Sequence, residues 1–295
     1  MNAPTHTRRD TYFLLAILAI IWGSSYILMK RGLLAYSPQQ IGALRIFTAG
    51  LVMLPFAWRS RAKVQRHHWQ FLILTGLLGN AIPSILFPLS ETRISSALAG
   101  MINTLTPLFT LLIGFLMFGM QATRYRMLGL LIGLAGAVLL ILGRGWGEAS
   151  ADARYSMFVV LATVCYAFSV NILRHKLHDL DPISTTSYSL LLMGTPMGIY
   201  LFTTDFVTRT SEHPKAFVSM GSILLLGMLS TAFSTVLFNR LIKQSGALVA
   251  SSVTYLAPAV AALWGLLDNE VIGLLHLAGL GLILSGVYLI GRGGK

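Results

Sequence analysis

Ten stretches of about 20 mostly apolar residues run through this chain, at 11–29, 38–58, 69–89, 95–118, 124–143, 155–173, 183–203, 216–239, 246–267 and 271–291. A helix rises about 1.5 Å per residue and a bilayer's hydrocarbon core is roughly 30 Å thick, so each stretch can cross it. Together they take up about 200 residues at that length, leaving short connections and no attached soluble domain. Backbone groups in lipid must pair within their own segment, and the runs lack strand-like alternation, so the spans are helices. The expected fold is an all-α integral membrane protein with ten transmembrane helices. Composition agrees: 55% of residues are apolar and 11% charged, against roughly 25% charged in a soluble domain. A cytosolic enzyme, a disordered tail and a disulfide scaffold are excluded.

The net charge of +12 would suggest nucleic acid in a soluble protein. Here it reads as orientation. With the N-terminus inside, the inner segments hold 14 of the 22 Lys and Arg and the outer loops seven. That bias places both termini in the cytoplasm of a multi-pass inner-membrane protein. The remaining basic residue, Arg45, lies within the second span.

Shifting the chain by 144 residues lays Trp22 on Tyr166, Ser25 on Ser169, Lys30 on Arg174 and Pro38 on Pro182. A shift of 151 pairs Gly76 with Gly227, Phe87 with Phe238, Pro107 with Pro258 and Gly114 with Gly265; a shift of 150 pairs Gly129 with Gly279. The chain thus divides into repeats at 11–143 and 155–291, joined by a linker at 144–154. Five helices per repeat is an odd number, so the second repeat inserts upside down relative to the first. Inverted repeats are the architecture of secondary transporters, with the site near the midplane between the halves. The first span belongs to the repeat, which argues against a cleaved signal peptide.

The segments Ile21-Trp22-Gly23-Ser24-Ser25-Tyr26, Leu105-Thr106-Pro107-Leu108, Leu256-Ala257-Pro258-Ala259 and Gly129-x3-Gly133-x2-Gly136 occur in an order that resembles the ten-helix EamA type of the drug/metabolite transporter superfamily. The resemblance covers nearly the whole chain. It implies export of small metabolites, and within the family the chain looks most like bacterial exporters of aromatic and other amino acids. Importers and multidrug exporters of the same superfamily are the alternative. The second repeat departs from the pattern with Tyr166-Ala167-Phe168-Ser169 where the first has Trp-Gly-x-Ser.

Polar stripes then locate the substrate. The third span presents Asn80, Pro83, Ser84 and Phe87 on one face, and the eighth presents Thr231, Ser234, Thr235 and Phe238 at the same offsets. Such stripes line a wet cavity or merely bond to the preceding turn. Trp22, Ser25 and Tyr26 share a face of the first span, as Tyr166 and Ser169 do of the sixth. The aromatic members can cover an amphipathic substrate or its ammonium group. Trp22 sits about 16 Å into its helix by rise, nearer the midplane than an interfacial belt. Pro107 and Pro258 lie inside helices, where each should free the carbonyl four residues back, on Asn103 and Thr254, as a cavity group or hinge. Tyr255 lies beside the second, and Pro83 is a third expected hinge. Arg45 is expected to bind a substrate carboxylate, to belong to a hydrogen-bond network, or to snorkel outward.

All ten acidic residues fall in terminal or loop segments or at span ends, so no carboxylate is expected mid-bundle, and facilitated diffusion is the default, with proton coupling through water as the alternative. His276 is the one His expected near a span's centre, as a packing residue. His67-His68 has no ligand set beside it in sequence, so no metal is expected. Cys165 stands alone. No Walker A pattern or triad-like arrangement is present; no cofactor and no enzymatic activity are expected. The expected partners are a small-molecule substrate and the lipid bilayer, not nucleic acid, and a monomer rather than a dimer.

Overall fold

The computed structural model describes residues 8–121, 123–142, 149–270 and 273–292. Among them no strand occurs, and a helical segment fills each apolar run: α1 (Arg8–Gly32), α2 (Pro38–Arg59), α3 (Arg66–Glu91), α4 (Ser96–Phe118), α5 (Arg124–Leu142), α6 (Ala149–Lys176), α7 (Pro182–Thr203), α8 (Ala216–Ser245), α9 (Val249–Leu267) and α10 (Leu274–Arg292). Eight are long and apolar enough to cross a membrane. A ninth counts if α7 and the short helix Phe206–Glu212, bent by 64°, form one broken span; the apolar part of α10, Leu274–Ile290, is shorter. Of the 144–154 linker, residues 144–148 lie outside the described residues, and 149–154 already form the first turns of α6.

Local chemistry sets the boundaries. Ser37 and Gln40 form a capping box at the start of α2, with Pro38 in the first turn. The repeat-mate of Ser37 is Asp181, which caps α7 ahead of Pro182 by accepting the Ser184 amide at 3.0 Å. Each cap satisfies amides that the first helical turn leaves free. Gly119, at φ 66°, closes α4 in the left-handed conformation that glycine adopts without a Cβ penalty.

Packing respects the repeat. α1 lies on α9 and α4 on α6, and exchanging the halves turns one pair into the other; α2 with α7 and α5 with α10 are self-matched pairs. The glycines of α5 serve this last pair. A Cβ added to Gly136 would sit 2.7 Å from the Gly279 carbonyl oxygen, so this stripe is spent on contact within the chain. Gly50 meets Gly194 where α2 crosses α7. The remaining helices surround a central space.

The helices around that space are broken in matched places. α3 contains a π-helical segment at Leu77–Ala81, where the Ile82 amide reaches back five residues to the Leu77 carbonyl. α8 contains another at Leu226–Phe233. These are repeat-mates at the 151-residue shift. α4 tightens to a 3₁₀ turn at Asn103–Leu105, and the helix at Ala247–Ser251 breaks at Ser252 before Val253–Leu267.

Candidate functional site

A cavity of about 100 Å³ lies among α1, α2, α3, α4, α6, α7, α8 and α9. Of the stripe residues, Trp22, Ser25, Tyr26, Asn80, Phe87, Tyr166, Ser169, Thr231, Thr235 and Phe238 line it, together with Asn103 and Arg45. Ser84 does not: its hydroxyl donates to the Ala81 carbonyl at 2.7 Å and faces Gly42 of α2. Tyr255 packs against the apolar core and is also outside the lining. None of the three prolines lines the cavity. Pro83 follows the π segment directly, so its missing donor falls where the hydrogen-bond register has already shifted.

Two expectations are corrected by hydrogen bonding. The Asn103 carbonyl is not free, because the Thr106 amide bonds it and the Thr106 hydroxyl donates to it at 2.9 Å. Arg45 does not snorkel outward. It is 9% exposed, and its Nε donates to Thr231 Oγ1 at 2.6 Å, with Nη1 3.8 Å from Met29 Sδ. No other hydrogen bond from Arg45 to a described residue exists, so most of its five N–H donors stay uncommitted beside the cavity. It is the sole charged residue among the described lining residues.

The π segment explains how Trp22 is held. Its indole Nε1 donates to Ser234 Oγ at 2.9 Å and to the Ser230 carbonyl at 3.2 Å. Ser230 lies inside the π segment, where the shifted register lets a carbonyl take outside donors. The Trp22 ring packs on Phe238 at 4.9 Å between centroids. One turn further along the same face of α1, Tyr26 meets Phe87 edge-on at 5.8 Å, and Phe87 stacks on Tyr166 at 6.0 Å. This aromatic layer closes one end of the cavity.

Beyond the layer, by about one turn of α1 and α3, stands an ion cluster. Lys30 Nζ contacts Asp268 at 2.5 Å and Glu270 at 2.8 Å. Glu270 also accepts the Ser96 amide at 3.0 Å, the Ser96 hydroxyl at 2.9 Å and the Ala97 amide at 3.0 Å, tying the start of α4 to the turn after α9. Burial alone would raise the Glu270 carboxyl, but these donors outweigh it and hold it below its ordinary value. At the other end, Leu173 and Asn239 also line a second cavity that carries Arg174, His175, His178 and Lys243.

Sequence reasoning missed several lining residues: Ile46, Thr75, Gly79, Ser189, Ser230, Asn239 and Ser251. Met29, Val170 and Leu173, on the expected faces of α1 and α6, and Thr106 and Thr254, beside the prolines, line the cavity as well. His276 lies in the first turn of α10 rather than near its centre, with Nδ1 accepting the Gly273 amide at 3.0 Å. His67, His68 and Asp179 do come together. His68 Nδ1 accepts the Gln65 amide at 3.0 Å, which leaves the proton on Nε2 facing Asp179 Oδ2 at 2.8 Å. A nitrogen carrying that proton has no lone pair for a metal. The group fits a clamp between α3 and the α6–α7 turn.

The profile of the EamA-like transporter family matches residues 10–142 and 154–292. A transporter of Archaeoglobus fulgidus is 26% identical over 290 residues, covering 95% of this chain and 98% of its own. The inner membrane transporter YedA of Escherichia coli K12 is 27% identical over 283 residues, covering 94% and 89%. One solved crystal structure superposes with a TM-score of 0.65 at 17% identity over 96% of both chains, a likeness of fold.

Proposed function

The chain belongs to the EamA-like transporter family, and from that premise we propose that it exports amino acids, aromatic ones among them, or related small carboxylate-bearing metabolites across a bacterial-type inner membrane. The two repeats, 11–143 and 155–291, work as inverted halves of a ten-span protein with both termini cytoplasmic. The name of the YedA relative, an inner membrane transporter, supports the location.

Arg45 carries the reading. A buried guanidinium with uncommitted donors matches the planar, bidentate geometry of a carboxylate. Around it the lining supplies Asn80, Asn103, Ser25, Ser169 and Thr235 for polar groups, and aromatic rings for an apolar side chain. An ammonium group finds ring faces and hydroxyl oxygens. A lipophilic cation would meet the repulsion of Arg45 and, among the described lining residues, no acid to offset it, which disfavours the multidrug alternative. The paired breaks in α3, α8, α4 and α9 sit around the cavity as flexible points for alternating access.

Purified protein in liposomes loaded with a radiolabelled amino-acid panel tests this. The expected result is efflux of phenylalanine or another amino acid well above protein-free liposomes, and its loss in Trp22→Ala. Efflux of no amino acid above background overturns the substrate assignment.

A further inference from the structure

One acid at a span end is not at a wet surface. Glu91, the last residue of α3, is 8% exposed. Both of its carboxylate oxygens are enclosed by protein, and neither has a hydrogen-bond partner. Burying an ionised carboxylate without a partner is strongly unfavourable, whereas a protonated carboxyl forfeits far less. A residue with no structural bond to make has no packing reason to be an acid.

Its surroundings give the acid a role. Glu91 is one turn outward of Phe87 along α3, as Lys30 is one turn outward of Tyr26 along α1. It therefore sits between the aromatic layer that closes the cavity and the Lys30–Asp268–Glu270 cluster. α1 presents Tyr26 and Lys30 toward this region, α2 presents Arg45, α6 presents Tyr166, and the turn after α9 presents Glu270 and Asp268. Arg93, just beyond Glu91, is exposed with its guanidinium 6.0 Å from the Tyr155 ring. Neither nearby cation is bonded to Glu91: Lys30 pairs with Asp268 and Glu270, and the one oxygen that Arg45 donates to is Thr231 Oγ1.

We propose that Glu91 is the proton-binding site that couples solute movement to the proton gradient. Parting of Lys30 from Glu270 opens the outer end and wets Glu91, and a proton from outside forms the O–H bond there. Reclosure buries the neutral acid, as in this structure. The same O–H bond breaks when the proton leaves on the cavity side, past Tyr26, as solute takes its place for the outward step. One proton enters for each solute exported, and the protein returns unchanged. This rests on the transport reading above and replaces its simplest form, facilitated diffusion.

The test uses the full chain in liposomes, with membrane potential clamped at zero by potassium and valinomycin and radiolabelled phenylalanine as probe. A gradient of one pH unit should hold phenylalanine at about a tenfold concentration ratio, since one unit in pH is a factor of ten in proton activity. Glu91→Gln should abolish that ratio, because its amide carries no exchangeable proton, and should slow exchange of labelled for unlabelled phenylalanine, because it mimics the protonated acid that the solute must displace; a thermal unfolding midpoint in detergent close to wild type shows that the variant folds. Infrared difference spectra across a pH step should contain a protonated-carboxyl carbonyl band that Glu91→Gln lacks, whatever the solute. Wild-type exchange with no pH-driven ratio, a ratio retained in Glu91→Gln, or an infrared difference spectrum identical in wild type and Glu91→Gln overturns the proposal. Absent wild-type exchange with the Glu91 band present overturns the amino-acid assignment instead.

Discussion

Glu270→Ala should open the end of the transporter that the Lys30 cluster closes, which is the outer end in the proposed topology. The Glu270 side chain is 5% exposed and receives Lys30, the Ser96 hydroxyl and the amides of Ser96 and Ala97. Lys30 is 39% exposed, so that pair contributes no more than about 1 kcal/mol. The two amides weigh more. A buried donor left unmade costs about 1–3 kcal/mol, and water entering the vacated space relieves part of it. A loss of roughly 2–4 kcal/mol, confined to the outer-closed state, raises the outer-open population about 30- to 1,000-fold. The assay places a cysteine at Leu98, 4% exposed in the closed state, in a Cys165→Ser background. Labelling by a membrane-impermeant maleimide from outside should accelerate at least about 30-fold in Glu270→Ala. An unchanged rate in folded protein would refute the closing role of this cluster. The pH dependence has a definite sign. The Glu270 carboxyl is held below its ordinary value of 4.5, so its contribution to closure is present above that value and is lost as pH falls through the lowered one.

Three further outcomes follow from the same geometry. Trp22→Phe removes the indole donor to Ser234 and Ser230 but keeps a ring against Phe238, so it should cost about 0.5–1.5 kcal/mol in denaturation yet retain transport, whereas Trp22→Ala should lose transport; equal transport by both variants would reduce Trp22 to packing. Gly136→Ala places a Cβ 2.7 Å from the Gly279 carbonyl and should destabilise the fold by about 1–3 kcal/mol, while Gly221→Ala, with nothing within 4 Å, should be neutral or slightly stabilising; thermal unfolding in detergent separates the two. Burial pushes the Asp181 carboxyl up, but the hydroxyl and amide of Ser184 and the ammonium of Lys63 hold it below its ordinary 3.8, so its capping of α7, about 1 kcal/mol, is present above that value and lost as pH falls through the lowered one. Asp181→Ala should be less stable than wild type at neutral pH and converge with it at strongly acidic pH; a constant gap would show that the charge is irrelevant.

Much of this was legible in the residues. Apolar run length located the helices because the bilayer fixes that length, and the repeat placed matching stripes on α1, α3, α6 and α8. Of the 14 expected substrate-site residues, Arg45 included, 12 line one cavity, and Ser84 and Tyr255 do not. The failures share a cause. The positions of Ser84, Asn103 and Glu91 depend on backbone register and on distant packing, which helical periodicity does not carry. A π segment shifts every later residue around the helix axis, so Ser84 turns toward Gly42. Thr106 supplies the bond that Pro107 withholds. Glu91 is last in its span by linear count, but the ends of α1 and α4 and the turn after α9 fold over it.

The proposed seating of a substrate carboxylate on Arg45 can be read from a pair of solutes that differ only in that group. Liposomes containing wild type or Arg45→Gln are loaded with radiolabelled phenylalanine or with phenethylamine, which lacks the carboxylate, and initial efflux is compared. Loss of a charge-assisted pair costs about 1.5–3 kcal/mol, or roughly 10- to 150-fold in apparent affinity. Wild type should export phenylalanine and discriminate against phenethylamine by about that factor, and Arg45→Gln should lose the discrimination. Equal efflux of the two solutes in wild type, or undiminished discrimination in Arg45→Gln, would contradict the account.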